Sequence, residues 1–283
     1  MGAAAALVTI HGGLYNVSAT EQHTAPVYWA LEAGMRNAVK RRSRGITPPE
    51  LSDAALVQRG LLLHREACVQ CHGAPGVAPD DVGKGLLPVP NNLVQTAREW
   101  SAAEIYWVTR NGLKMTGMPA WGMRYVDDEL WAIVAFVKHL PRLSVADYEA
   151  MALQASRQTP DASRQSSRSA GVIPHPSSLI PAAASRAGDA ARGVAAMQQY
   201  ACTTCHTIPG MVGAAAHVGP PLAGIGDRKY LGGRLPNSPE NMVKWIRHPR
   251  EISPQSLMPD LGVTEEHARD MAAYLLTLKG GGK

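Results

Sequence analysis

The sequence predicts an all-α protein in which two similar helical domains follow each other in tandem. Two observations predict the repeat. The pentapeptide pattern Cys-x-x-Cys-His occurs once in each half, at residues 68–72 and 202–206. Each copy follows a segment with helical periodicity and precedes a Gly/Pro-containing loop, a Met-Pro pair and a last helix. A third observation separates the copies: residues 144–187 are rich in Ala, Ser, Arg and Pro and show no sustained period, which predicts a disordered linker. For 283 residues, two domains are the usual number.

Residues 1–19 resemble part of a membrane anchor or the remnant of a signal peptide. An apolar run up to Ile10 is interrupted by His11-Gly12-Gly13 and continues weakly. A membrane-spanning helix needs about 20 mostly apolar residues, and this run is shorter. A signal peptide has a basic residue before its apolar run, and this run has none. We therefore expect a partial anchor or a signal remnant at this end.

Residues 20–49 contain a predicted amphipathic helix over 26–44. Pro26 suits its first turn, and the basic side chains at its end complement the helix dipole. The predicted apolar stripe consists of Val27, Ala30, Leu31, Gly34, Met35, Ala38 and Val39, with Glu32 and Arg36 among the residues on the opposite side. Two interpretations remain open for this helix: it packs on the first domain, or it lies on an anionic membrane surface.

The first domain is expected over residues 50–143. Ser52 is the predicted cap of a helix over 53–67 that leads to Cys68, and residues 73–92 form a predicted loop. Ser101 is the predicted cap of a helix over 102–110. A last helix is predicted to begin at the acidic residues 127–129 and to stop at Pro141.

The second domain is expected over residues 188–283 and repeats this plan. A helix leads to Cys202, a Gly-Pro-Pro segment follows at 219–221, and residues 241–247 have a helical pattern. The last helix is predicted to begin at Thr264, and the glycines at 280–282 form a frayed end.

The repeated pentapeptide is the attachment pattern of a c-type haem, in which two thiols bond to the porphyrin and the histidine binds the iron. Cys68, Cys71, Cys202 and Cys205 account for all four cysteines of the chain. A zinc site and a redox dithiol are the alternatives. Neither explains a histidine directly after the second cysteine in both copies. The sequence therefore predicts two covalently bound haem c groups.

The histidines of the pattern, His72 and His206, are the predicted proximal iron ligands. The predicted distal ligands are Met118 and Met258, each followed by proline and placed shortly before the last helix of its domain. A following proline restricts a residue to extended conformations, which suits a loop across a haem face. The rival ligands are Met115, Met123, Met242 and His248, whereas His64, His139, His175 and His217 are expected to be surface or packing residues.

Composition agrees with haem-filled interiors and argues against nucleic-acid binding. The chain has a single phenylalanine, so buried porphyrins would supply much of each core. The formal net charge is +5. Haem propionates would lower the charge of the loaded protein to about +1, and no basic face interleaved with aromatic residues is apparent in either haem segment.

The haem segments resemble class I cytochromes c, in two copies. Gly60 and Gly193 match the glycine of that family's first helix, while His64 and Met197 replace the aromatic residue expected four positions later. The resemblance implies that the last helix crosses at this glycine and offers an aromatic residue, here Phe136 and Tyr274. It also implies that the carbonyl of Pro220 orients the proximal histidine. Pro88 or Pro90 is the looser counterpart in the first domain.

The whole arrangement resembles membrane-anchored dihaem cytochromes c of proteobacteria. That resemblance implies an electron carrier on the periplasmic side of the inner membrane, with a terminal oxidase, a dehydrogenase or another cytochrome as redox partner. Filled axial positions at both irons argue against catalysis there. The alternatives are a peroxidase-like or sulfur-compound-oxidising dihaem enzyme and a structural haem subunit of a respiratory complex.

Overall fold

The computed structural model describes residues 8–9, 11–158, 187–213 and 216–280, and these residues are mostly helical, as predicted. The helices are α1 (Ala25–Arg42), α2 (Ala54–Ala67), α3 (Val69–His72), α4 (Asp81–Lys84), α5 (Leu93–Glu99), α6 (Ala102–Asn111), α7 (Asp127–His139), α8 (Val145–Gln158), α9 (Ala190–Gln199), α10 (Pro239–Arg247), α11 (Pro249–Ile252) and α12 (Glu265–Thr277). Single 3₁₀ turns cover Trp121–Met123, Leu140–Arg142, Cys202–Thr204 and Ile225–Asp227. Strands β1 (Tyr230–Leu231) and β2 (Leu235–Pro236) form a short antiparallel hairpin that the sequence did not predict.

The first domain is built on the crossing of α2 and α7. A Cβ atom at Gly60 would lie 1.9 Å from the carbonyl oxygen of Ala132, so only glycine allows the two backbones to approach this closely. Leu61, Leu130 and Phe136 are fully buried around the crossing. The glycine crossing implied by the family resemblance is therefore present in this domain.

The second domain has the same crossing between α9 and α12. A Cβ atom at Gly193 would lie 2.2 Å from the carbonyl oxygen of Asp270. The buried Asp270 carboxylate ties the two helices together, since it accepts hydrogen bonds from the Asp189 amide at 2.6 Å and from Arg192 Nε at 2.9 Å. Met197, the residue in the place of the expected aromatic, is 1 % exposed and belongs to the core.

Side-chain caps fix the helix starts close to their predicted positions. Ser101 caps α6, as the sequence predicts, and forms a complete capping box with Glu104. Thr264, the predicted first residue of the last helix, is the cap of α12. At α2 the cap is Asp53, whose carboxylate accepts from the amides of Ala55 and Leu56. The prediction that Ser52 caps this helix was wrong by one residue, since an aspartate serves equally well at that position.

The prediction of a linker beginning at residue 144 was wrong for its first part. Residues 145–158 form α8, in which Val145, Tyr148, Ala152 and Ala155 are buried. Helix α8 packs on α2 and α7 through Tyr148 and Ala155. The four buried residues recur every three or four positions, which is a helical stripe. Two of the four are alanines, so the stripe is weak in the sequence. The rest of the predicted linker, 159–186, lies outside the described residues, as does His175.

Helix α1 packs on the first domain with a face that differs from the predicted one. Val39 is buried, Met35 contacts the core and Tyr28 is half-buried, but Leu31 of the predicted stripe is 53 % exposed. Arg36, predicted on the outer side, donates to Glu32 and to Glu99 of α5, both at 3.0 Å, and its guanidinium lies over the Trp100 ring. Ion pairing and stacking therefore bring a polar side of α1 inward.

Within the described part of the chain, we find no helix that is both long and apolar enough to cross a bilayer. Residues 1–7 and 10 of the expected anchor, and 281–282 of the expected frayed end, lie outside the described ranges.

The two domains contact each other through side chains that reach across to backbone groups. Lys84 Nζ donates to the carbonyl of Leu261 at 2.9 Å, and Gln95 Oε1 accepts from the amide of His217 at 2.7 Å. Arg250 pairs with Glu149 of α8 at 2.9 Å. These contacts join α4, α5 and α8 of the first domain to Leu261, His217 and α11 of the second domain.

Candidate haem sites

In both halves of the molecule the Cys-x-x-Cys-His segment is folded into a single helical turn. Cys68 directly follows the last residue of α2, and the His72 amide donates to the Cys68 carbonyl at 2.9 Å. In the second domain Ala201 adopts a left-handed conformation with φ 57°, after which the His206 amide donates to the Cys202 carbonyl at 3.0 Å. Residues three apart on such a turn lie on one face, so each cysteine pair can reach one porphyrin edge.

The four thiols are free and protonated. Burial raises the pKa of Cys68 and of Cys202 to about 12, and it raises the pKa of Cys71 and Cys205 as well. A reactive dithiol needs a lowered thiol pKa, which is the opposite of what this environment produces. Among the described residues we also find no group of three or more His, Cys, Asp and Glu side chains placed to hold a metal ion. The raised thiol pKa values disfavour the dithiol alternative.

Each histidine of the pattern is anchored through Nδ1 to a backbone carbonyl. His72 Nδ1 donates to the Asn91 carbonyl at 2.7 Å, and His206 Nδ1 donates to the Pro220 carbonyl at 2.8 Å. A carbonyl only accepts, so the proton is on Nδ1 and Nε2 carries the free lone pair. This is the arrangement that a histidine ligand needs. Burial also lowers the pKa of both rings, which keeps them neutral.

Gly219 is required for the position of the second histidine. A Cβ atom there would lie 2.4 Å from Cε1 of His206 and 2.7 Å from its Nδ1. The imidazole thus lies directly against the backbone of the Gly219-Pro220 turn. In the first domain the carbonyl comes from Asn91, one residue after the Pro90 that the sequence suggested, so neither Pro88 nor Pro90 orients His72.

Met118 is half-buried in a loop held by local hydrogen bonds. Its amide donates to Thr116 Oγ1 at 3.1 Å, and its carbonyl accepts from Leu113. A Cβ atom at Gly117 would lie 2.6 Å from Cδ1 of Leu86. The loop that contains Met118 therefore packs closely on the loop that follows the first Cys-x-x-Cys-His segment. The rival residues Met115 and Met123 are 95 % and 86 % exposed and point to solvent.

Met258 has the same local geometry in the second domain. It is half-buried, and its amide donates to Ser256 Oγ at 3.2 Å, which matches the bond from Met118 to Thr116. Its rivals are committed elsewhere. Met242 is 1 % exposed in the hydrophobic core, and His248 Nδ1 faces the carboxylates of Glu251 and Asp260.

The remaining histidines that the structure describes agree with packing or surface roles. His64 is fully buried with its ring 5.0 Å from that of Phe136, whereas His217 is exposed and His139 is partly buried. Neither ring nitrogen of His64 has a hydrogen-bond partner, and burial lowers its pKa to about 3. His64 therefore fills the aromatic position of the helix crossing as a neutral ring.

The sequence did not reveal the importance of Asn91 and Asn92. Asn91 supplies the carbonyl for His72, and Asn92 Nδ2 donates to the Sγ atom of Cys205 in the other domain at 3.3 Å. No local pattern marks an asparagine for a contact with a residue so distant in the sequence. The only available signal was that Asn91 and Asn92 directly follow Pro90, in the turn that was expected to orient His72.

The residues present fit a covalently bound haem in each domain. Free cysteines lie one turn apart, a neutral histidine is anchored with Nε2 available, and a half-buried thioether lies in a closed loop. Thiols, imidazole and thioether are suitable donors for haem attachment and iron ligation.

Comparison with known proteins assigns a cytochrome c-type domain to each half. Residues 55–137 match the family model of cytochrome c oxidase, cbb3-type, subunit III, and residues 190–279 match the family model of cytochrome c. Domains of this kind carry covalently bound haem c and are typical of electron carriers.

Two curated proteins are similar to part of the chain, and both are cytochrome c oxidase subunit 2. The protein from Alkalihalophilus pseudofirmus is 34 % identical over 89 residues, which are 31 % of this chain and 25 % of that protein. The protein from Bacillus sp. strain PS3 is 33 % identical over 82 residues, 28 % of this chain and 23 % of that protein. The chain thus spans about a quarter of the length of these relatives. No solved structure matches the chain.

Proposed function

We propose that this chain is a dihaem c-type cytochrome that carries single electrons between respiratory partners on the periplasmic side of the bacterial inner membrane. The observation that supports this most directly is the repeated site. In each half, two free cysteines one turn apart precede a histidine whose Nδ1 is fixed on a backbone carbonyl.

The side chains have separate tasks in this proposal. Cys68 and Cys71 bond the first haem, and Cys202 and Cys205 bond the second. The carbonyls of Asn91 and Pro220 hold the proximal imidazoles in orientation and increase their donor strength. When bound, each haem supplies an iron that accepts and releases one electron.

Met118 and Met258 are the proposed distal ligands. A thioether opposite imidazole raises the reduction potential, as in cytochromes c. It also fills the position at which a peroxide or a sulfur compound would have to bind. The proposal is therefore electron transfer without catalysis at iron, and it rejects the peroxidase-like and sulfur-oxidising alternatives.

Spectroscopy on variants tests the ligand assignment. In Met118→Leu and Met258→Leu, the far-red band of ferric methionine ligation should disappear for one haem each, and the potential of that haem should fall. Met115→Leu is the matched control, because its side chain is exposed. An unchanged spectrum in both ligand variants would refute the assignment, and an intact mass showing fewer than two added haems would refute the dihaem proposal.

A terminal oxidase is the favoured partner. The names of the family model matched by residues 55–137 and of both relatives refer to cytochrome c oxidase subunits, which supports transfer towards oxygen rather than from a dehydrogenase. The same names support the alternative that the chain is a fixed haem subunit of an oxidase complex. Mild-detergent purification from membranes distinguishes the two: a fixed subunit remains in stoichiometric complex, and a carrier separates from the oxidase but is oxidised by it.

Inner-membrane association is part of the proposal. The last turn of α1 contains Lys40, Arg41 and Arg42, and all three are exposed. A cluster of this kind attracts anionic lipid headgroups. Because the inner side of α1 packs on the first domain, such a contact would hold that domain near the membrane surface.

A further inference from the structure

A continuous line of bonded and hydrogen-bonded atoms joins the two Cys-x-x-Cys-His segments. His72 Nδ1 donates to the carbonyl oxygen of Asn91 at 2.7 Å. The next residue, Asn92, donates through Nδ2 to the Sγ atom of Cys205 at 3.3 Å, within the range of a hydrogen bond to sulfur. Between these two hydrogen bonds the path runs only through covalent bonds of Asn91 and Asn92.

The side chain of Asn92 is held in this orientation by a second task. Its Oδ1 accepts from the Val94 amide at 2.9 Å and caps α5. With the oxygen turned towards the helix, the amide nitrogen points away from it, towards Cys205. The carbonyl of Asn92 also accepts from Thr96 Oγ1 at 3.2 Å, so the residue is fixed at both its backbone and its side chain.

Further contacts between the domains surround this link. Gln95, one turn into α5, accepts from the His217 amide at 2.7 Å, and Lys84 donates to the Leu261 carbonyl at 2.9 Å. Lys84 is only 8 % exposed, and its Nζ lies 5.5 Å from the centre of the Tyr200 ring. Asn92 thus bridges the domains within a wider interface that holds them at contact distance.

We propose that Asn91 and Asn92 form the route by which an electron passes between the two haems. The inference rests on the proposed function, in which His72 is a ligand of one iron and Cys205 a thioether of the other haem. Electron tunnelling decays less along covalent and hydrogen bonds than across a gap, so a path with two short hydrogen bonds favours this route. With haem bound at both sites, each transfer would oxidise one iron from ferrous to ferric and reduce the other, and no bond would be broken.

The variant Asn92→Ser tests the route. Serine remains a good helix cap, so α5 is retained, but its side chain is too short to reach Cys205. The matched control is Gln95→Ala, which removes a neighbouring hydrogen bond between the domains and leaves the route intact. A laser-generated reductant supplying less than one electron per molecule starts the exchange in the dihaem protein, and the redistribution between the haems is followed optically.

We expect a several-fold slower exchange in Asn92→Ser and a native rate in Gln95→Ala. An independent readout is the reduction potential. Removing a hydrogen bond from the thioether sulfur should lower the potential of the second haem and leave that of the first unchanged. The exchange rates are compared after both potentials have been measured, so that a changed driving force is taken into account.

Two results would overturn the inference: a native exchange rate in Asn92→Ser, or equal slowing in both variants, which would assign the effect to loosened domain contact. Either result leaves the proposed function intact provided that the variants still contain two low-spin haems. A native chain found to carry only one haem would instead refute the proposed function itself.

Discussion

Replacing His64 by phenylalanine should stabilise the first domain, and more so in acid. His64 is 0 % exposed, packs at 5.0 Å from Phe136, and has no partner for either ring nitrogen. Burying a polar group without a hydrogen bond costs about 1–3 kcal/mol. Phenylalanine keeps a planar ring against Phe136 and removes that cost. The slightly larger ring brings a packing penalty that offsets part of the gain.

The pH dependence has a defined sign. Burial, with a smaller contribution from His72, lowers the pKa of His64 from 6.5 to about 3 in the folded state. Between these two values the unfolded chain binds a proton that the folded chain does not, so native stability is lost as the pH falls below 6.5. From pH 7 to pH 5 this loss amounts to ~2 kcal/mol. The advantage of His64→Phe over the native chain should therefore grow by that amount.

Denaturant unfolding of the dihaem protein at both pH values measures this difference. Tryptophan fluorescence is a suitable signal, because five of the six tryptophans precede residue 144 and report on the first domain and α1. His217→Gln serves as the control, since His217 is exposed. An advantage of His64→Phe that is the same at pH 7 and pH 5 would show that the native imidazole is not held neutral by burial.

Three other test variants have outcomes that follow from the same structure. Gly219→Ala should displace His206 and abolish the low-spin spectrum of the second haem, whereas Gly34→Ala, where a Cβ atom meets nothing within 4 Å, should leave both spectra unchanged. Gly60→Ala should destabilise the first domain by more than ~2 kcal/mol in denaturant unfolding, because the new Cβ atom would overlap the Ala132 carbonyl oxygen. Changing Lys40, Arg41 and Arg42 to glutamine should weaken sedimentation with anionic vesicles by about 1 kcal/mol per charge, and equal binding of both proteins would assign α1 to packing alone.

The sequence predicted the repeated plan well because its signals are local. The Cys-x-x-Cys-His patterns, the caps Ser101 and Thr264 and the glycines Gly60 and Gly193 each act within a few residues or through one close contact. Helix α8 was missed because its buried stripe relies partly on alanine, which packs closely but gives little hydrophobic signal. The inward face of α1 was missed for another reason: Arg36 is stabilised by Glu99 and Trp100, which are distant in the sequence.

The two domains differ in the residue whose carbonyl anchors the proximal histidine. In the second domain the carbonyl belongs to Pro220, in a turn that serves His206 and needs Gly219 for space. In the first domain the carbonyl belongs to Asn91, directly before the residue that caps α5 and contacts Cys205. One turn thus orients a proximal histidine, starts a helix and touches the other domain.

Such a combination restricts which residues are acceptable at position 92. The helix cap alone would accept Ser, Asp or Thr. The contact to Cys205 adds the need for an N–H donor that extends further than a hydroxyl group, and the capping bond requires an oxygen on the same side chain. Asparagine provides both within one short planar amide. Glutamine has the same groups but an additional methylene, which would separate the amide from the cap.

A series of Asn92→Ser, Asn92→Asp and Asn92→Gln should therefore retain α5 in the first two variants and lose the donor to Cys205 in both. If Asn92→Ser or Asn92→Asp exchanges electrons between the haems at the native rate, the position does not act through this hydrogen bond.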